Sequence, residues 1–308
     1  MAQAAQPAAP AVSLAALRAE VRALEGRPDS GGRLAFGIAE IDRRLPGGGL
    51  PLGALHEVEG GGADRAAGAA AVLFVAGILA RRGGAVLWCV ERCDLYAPAL
   101  AAVGLDPARL IVAEAGGAVL AAMEEGLRHG GLAGVVGESG RLDLTASRRL
   151  SLAAEAAGTP AFVLRRRRFA AGGGTPRGRG EEPAAAPTAA ATRWQVAPLP
   201  SGLPAVLARA GDGGRTGLAR PLWHLFLTRC RNGEPGGFVV EACDDEGHLA
   251  PGPASVSLPA AAPLSAAGAG APDRRAGPAA VGDRAPRPRG RIVAFPGAGR
   301  PGAGAGRL

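Results

Sequence analysis

The sequence predicts an α/β fold: a mostly parallel sheet with helices on both faces, antiparallel strands added at its end, and disordered termini. Three observations predict it. Apolar runs of strand length alternate with helical stretches from Leu34 to Leu164, the pattern of a parallel sheet covered on both sides. One of these strands, Leu55 to Glu59, leads through Gly60-Gly61-Gly62 into a helix of small residues, which is the strand–turn–helix layout of a phosphate loop. Beyond Thr192 the helical period stops and strand follows strand.

Taken in order, residues 1–12 carry no periodicity and are expected to be disordered. Ser13 to Leu24 spaces Leu14, Leu17, Val21 and Leu24 by three or four residues, one face of an amphipathic helix with Ser13 as N-cap. A Gly/Pro linker, 26–32, detaches this helix, so its apolar stripe is a candidate for docking on the chain's own domain or on another protomer. Ile38 to Leu45 reads as a short helix stopped by Pro46-Gly47-Gly48-Gly49. The strand at Leu55–Glu59 and the helix Ala66–Ala80 follow. Strands are then expected at 85–91, 110–112, 134–136 and 161–164, with helices at 96–103, 119–128 and 146–157. Arg165, Arg166, Arg167 and Arg168 open a Gly/Pro/Arg-rich segment that holds too little apolar surface to order itself. The strands 192–196, 223–227 and 237–241 complete the sheet, with Arg231-Asn232-Gly233 as a turn between the last two. Three regions result: an N-terminal helix and linker over 1–32, an α/β domain over 33–250 interrupted by a disordered insertion at 165–193, and a disordered basic tail over 251–308. Within that tail, Arg291 to Pro296 is an isolated apolar island that suits a linear motif.

Charge separates along the same lines. All 35 basic residues are Arg, and the formal charge is +8. The insertion holds seven Arg against two acids and the tail eight against two, while the rest of the chain has a slight acidic excess. Positive charge therefore sits on flexible segments, which suits non-specific nucleic-acid contact or acidic protein surfaces. Arg165–Arg168, Arg177 and Arg179 are the candidates for it. No apolar run is long enough to span a membrane, and the first residues lack the basic and apolar regions of a signal peptide. The four Cys show no metal or redox spacing and the four His are scattered, so a cytoplasmic protein with reduced thiols and no metal site is expected.

The chemistry turns on the phosphate loop. A working loop reads G-x-x-x-x-G-K-[ST]: backbone N–H groups wrap the phosphates, Lys reaches the β/γ-phosphates, and the hydroxyl holds Mg²⁺. Counting from Gly60, Arg65 stands at the second Gly, Ala66 at the Lys and Ala67 at the hydroxyl. Without Lys and Mg²⁺ the main electrostatic stabilisation of phosphoryl transfer is lost. The expectation is a protein that binds other molecules without hydrolysing ATP and without a cofactor.

The order of the pieces resembles the RecA recombinase core over roughly 34–250. FGIAEIDRRLPGGGLPLGALHEVEGGG is similar to that family's entry segment and phosphate-loop strand, and Glu91 falls where RecA-like ATPases keep a water-activating Glu. On the same comparison Gly137 stands at the metal-holding Asp, with Glu138 one place late. The insertion sits at the position of the second DNA-binding loop, and Arg231-Asn232 at that of basic residues that reach a neighbour's nucleotide. More narrowly, GGGLPLGALHEV, YAPALAAVGLDPARLIV, MEEGLRHGGLAGVVGE, LTASRRLSLAAEAAGTPAFVLR and TRWQV, in that order, resemble the ImuA family of damage-induced mutagenesis. That resemblance implies an SOS-induced accessory role in error-prone translesion DNA synthesis. The implied partners are ImuB (a catalytically dead Y-family polymerase homologue), a DnaE-type error-prone polymerase and RecA. The alternative from the same residues is an ATP-dependent RecA/KaiC-type DNA-binding ATPase with a divergent loop.

Overall fold

The computed structural model describes residues 32–61, 65–165, 187–200, 220–253 and 291–293. The expected helix over 13–24, with Leu14, Leu17, Val21 and Leu24, lies outside them, as do Arg166, Arg167, Arg168, Arg177, Arg179 and most of the tail. Two short strands, Arg33–Leu34 (β1) and Leu50–Pro51 (β2), pair antiparallel on either side of the helix Ala39–Asp42 (α1).

The main sheet comprises Leu55–Gly60 (β3), Val86–Val90 (β4), Leu110–Glu114 (β5), Gly134–Glu138 (β6), Ala161–Arg165 (β7), Thr192–Leu199 (β8), Leu222–Cys230 (β9), Gly236–Glu241 (β10), Ala250–Pro251 (β11) and Arg291–Val293 (β12). Their order is β11-β10-β9-β8-β3-β7-β6-β4-β5-β12. Every pairing from β8 across to β5 is parallel, whereas β9, β10 and β11 add antiparallel at one side and β12 at the other. This is the arrangement expected from the sequence: a mostly parallel sheet with antiparallel strands at its end.

Two helical layers explain why the central strands are apolar on both faces. Arg65–Ala80 (α2) and Ala97–Ala101 (α3) cover one face. Val119–His129 (α4) and Leu144–Ala157 (α5) cover the other. Small residues on α2 (Ala67, Ala70, Ala71 and Ala76, all buried) let the helix lie close to the sheet, and Phe74, Val75, Ile78 and Leu79 supply the apolar area. Phe36 and Phe74 stack with ring centroids 5.9 Å apart, and Trp194 tilts against both. The second core is built on Met123, Leu127, Val135, Leu150 and Val163. Helix α5 starts where the Asp143 carboxylate accepts the Ala146 N–H at 2.7 Å and ends on Gly158 in the left-handed conformation.

Several boundaries differ from the expected ones. The helix expected over 38–45 is regular only at 39–42, and the Asp42 carboxylate turns back to its entry to accept the N–H groups of Phe36 (2.7 Å) and Gly37 (3.0 Å). The strand expected at 134–136 continues through Glu138, and its alternation changes the assignment of two site residues, below. The insertion is shorter than 165–193: Arg165 closes β7, and residues 187–193 run into β8. The tail is not wholly irregular either, since Ala250–Pro251 pairs with β10 and Arg291–Val293 with β5. The turn at Arg231-Asn232-Gly233 is present, with Asn232 at φ 60°, a conformation that Asn tolerates better than most residues. Among the described residues, no helix is long and apolar enough to cross a membrane.

His56 gives this core a pH dependence. Its ring is fully buried on β3, bonded to the Thr192 hydroxyl (2.8 Å) and the Pro51 carbonyl (2.9 Å), and burial pushes its pKa down from 6.5 to about 4. Below pH 6.5 the unfolded chain takes up a proton that the folded chain refuses. This contribution is therefore intact above pH 6.5, declines as pH falls towards 4, and is flat below. The shift corresponds to about 3 kcal/mol. Urea unfolding at pH 7 and pH 4.5 should show a smaller drop for His56→Gln than for wild type; equal drops would mean that His56 is not the group responsible.

Candidate functional site

The phosphate-loop frame lies where the sequence places it. β3 ends at Gly60, and α2 begins at Arg65. Residues 62–64 and the Arg65 side chain lie outside the described set. Gly60 abuts the first turn of α2 so closely that a Cβ there would sit 2.8 Å from the Ala67 carbonyl carbon; only glycine fits this approach. Ala66 is exposed and Ala67 is 1% exposed. Where a phosphate loop needs an ammonium and a metal-binding hydroxyl, this chain has one methyl group in solvent and one packed into the core. The Gly61 N–H, at the start of the turn, donates to the Val196 carbonyl at 2.8 Å. The residues present do not fit a nucleotide with its Mg²⁺. Among the described residues, no group of three His, Cys, Asp or Glu side chains is placed to hold a metal.

The carboxylates at the ends of the neighbouring strands have other surroundings. Glu91 follows β4 directly and is partly exposed. The comparison of Gly137 with a metal-holding Asp is corrected by side-chain alternation along β6. A Cβ on Gly137 would meet the Met123 sulfur at 2.1 Å and Val119 at 3.1 Å, so this position faces α4, away from α2. Glu138, not Gly137, lies on the phosphate-loop face. Its Oε1 accepts the Trp88 indole N–H at 2.7 Å, and the residue is 4% exposed. A strand-end carboxylate therefore does stand on the correct face, and it is engaged by an indole inside the core.

Sequence reasoning missed the best-organised charged group of this region. Glu57, in the middle of β3, is buried. One carboxylate oxygen accepts from Arg193 Nη2 at 3.1 Å and from the Thr188 hydroxyl, and the other lies 3.6 Å from Arg165 Nη1. Arg193 Nη2 also donates to Thr188 Oγ1 at 3.2 Å. Next along β3, Glu59 accepts from Gln195 Nε2 at 2.6 Å. Residues 188–191 are held over this cluster from three directions: Arg229 donates to the Thr188 carbonyl (2.7 Å), Arg231 to the Ala189 carbonyl (2.8 Å), and the Ala189 N–H donates to Ser147 Oγ (3.0 Å). One expectation is corrected here. Arg165 is not the first residue of a solvated basic run but the partner of a buried carboxylate. Arg231 is exposed and donates to the Ala189 carbonyl. The available signal was Glu57 itself, because a carboxylate inside an apolar strand requires a cationic partner.

Three of the four thiols are poor nucleophiles. Cys89 and Cys243 are buried, and burial pushes both pKa values up to about 12 and that of Cys230 to about 11, far from the thiolate range needed for reactivity.

Comparison with known proteins follows from this geometry. No family model matches the chain. Two curated relatives named Protein ImuA, from Caulobacter vibrioides strains NA1000 / CB15N and ATCC 19089 / CIP 103742 / CB 15, are each 41% identical over 222 residues, covering 70% of this chain and 85% of theirs. Among solved structures, the crystal structure of the RadB recombinase is similar at a TM-score of 0.48 and 16% identity, covering 71% of this chain and 100% of that one.

Proposed function

The chain belongs to the ImuA family, and from that premise we propose that it is a non-catalytic RecA-like accessory factor of SOS-induced, error-prone translesion DNA synthesis. It recruits or organises an ImuB-type partner and a DnaE-type polymerase, with RecA as a further contact. The observation that carries the non-catalytic part is the pair Ala66 and Ala67, one exposed and one packed against the end of β3. Transition-state charge in phosphoryl transfer has no cation to meet at these positions. The engagement of Glu138 by Trp88 supports the same conclusion. What such a domain retains is surface: the sheet edges, the helical layers and the basic segments 166–186 and 254–308, which suit non-specific, salt-sensitive contact with DNA.

Three measurements test this. Mg-ATP should leave the thermal midpoint of the purified protein unchanged, whereas a bound ligand at 100 times its Kd would add about 2.7 kcal/mol. ATP turnover that exceeds background and disappears in Glu91→Gln would overturn the non-catalytic assignment. Tagged protein pulled down from DNA-damaged cells should bring an ImuB-type protein and a DnaE-type polymerase; recovery of neither would overturn the accessory role.

A further inference from the structure

The two edges of the main sheet end differently. On the antiparallel side the last strand, β11, has only two residues and finishes on Pro251, so it offers little ladder to another chain. The other side would end on β5, Leu110–Glu114, a five-residue parallel strand of sequence LIVAE with Ile111 39% exposed. An apolar edge of that length is a template for a strand from another molecule. Its last three residues are covered by β12, which pairs antiparallel with Arg291 opposite Glu114, Ile292 opposite Ala113 and Val293 opposite Val112.

The covering segment suits this task by sequence. Ile292 and Val293 are the one adjacent pair of β-branched residues in a tail dominated by Ala, Pro, Gly and Arg, and such residues favour strands. Gly290 precedes the strand and Pro296 follows it closely. Proline cannot donate to a ladder, so the cap presents little new edge of its own. The 37 residues between Pro253 and Arg291 could span up to about 120 Å when extended, which is more than enough to bring the segment back to its own domain.

We infer that Arg291–Val293 is a cap supplied in cis: the tail returns to close the β5 edge of its own sheet and keeps that edge from pairing with a second copy of the chain. The cap is small and its tether long, so it is exchangeable, and its removal converts the edge into a self-association surface.

Hydrogen exchange and sedimentation on the full-length chain test this together. In wild type, the peptide covering 110–114 should be protected to the same degree at low and high protein concentration, and the protein should sediment as a monomer. The Ala115 N–H donates to the Val90 carbonyl, so alternation turns Val112 and Glu114 towards β12, opposite Val293 and Arg291; Val293→Pro therefore removes a ladder donor of the cap. It should lose protection in that peptide alone and gain concentration-dependent association, which a synthetic peptide of residues 288–297 reverses. A proline placed beyond the strand, Ala298→Pro, should behave as wild type. Unchanged protection in Val293→Pro would overturn the cap. Protection in wild type that is lost on dilution would show that the strand comes from a second copy, and would overturn the cis arrangement. Lost protection without any new association would overturn the guarding role.

Discussion

Replacing Glu57 with Ala lowers the thermal midpoint of the domain by roughly 10 °C, since about 3–5 kcal/mol is lost when one partner of a buried ion cluster is removed. The magnitude follows from what is left behind. The side chains of Arg193 and Arg165 are 11% and 22% exposed and share this carboxylate, and the Thr188 hydroxyl donates to it as well. Without Glu57, Arg193 in particular keeps its charge with little water to solvate it. Damage should extend to the start of β8, because Arg193 and Thr188 belong to the segment that enters that strand. A double variant, Glu57→Leu with Arg193→Met, should recover most of the loss, as apolar replacement of a buried pair is often neutral or better. Calorimetry on the three proteins decides the matter. A single-variant loss below about 1 kcal/mol would put the cluster in the class of solvated surface pairs.

Trp88→Ala should be comparably severe, at about 3–5 kcal/mol for the cavity alone. Trp88 is fully buried at the centre of β4 and its indole N–H is a donor to Glu138. Trp88→Phe separates the two contributions, because it keeps much of the ring and removes the N–H. The expected loss for Phe is about 1–3 kcal/mol, the cost of removing a buried hydrogen-bond donor from its acceptor. Adding Glu138→Gln to Trp88→Phe should return part of it. If Phe at this position is tolerated without loss in urea denaturation, the Trp88–Glu138 bond is not what holds the carboxylate in the core.

Much of the architecture was legible because it is local. Amphipathic spacing placed α4 and α5, the second of them capped by Asp143 and Gly158, and runs of apolar residues marked the central strands. The strands were drawn short. β6 was expected to stop at Val136, yet the pairing Glu138↔Leu164 carries it two residues further. Those two residues decide which position faces the phosphate loop. A ladder partner from β7 extends the strand, and the sequence of β6 contains no sign of that partner. The first residue of the Arg-rich run was misjudged for a related reason. Arg165 looks identical to Arg166–Arg168 in the sequence and differs from them in lying at the last paired position of a strand beside β3.

By itself the sequence determined what chemistry is absent: no Lys and no hydroxyl can stand at 66 and 67, because residue identity at a position counted from Gly60 along one connected turn does not depend on folding. It also determined the alternation of strands and helices, since periods of two and 3.6 residues are properties of a single segment. Only the tertiary structure decided that Glu57 gathers Arg165, Arg193 and Thr188, that Glu138 and not Gly137 shares a face with α2, and that Arg291–Val293 lies along β5. Each of these joins residues far apart in the chain, Arg193 to Glu57 across 136 positions. Parallel strands can meet only through long crossovers, so the neighbours of a side chain on such a sheet are set by strand order and register, which no local pattern encodes.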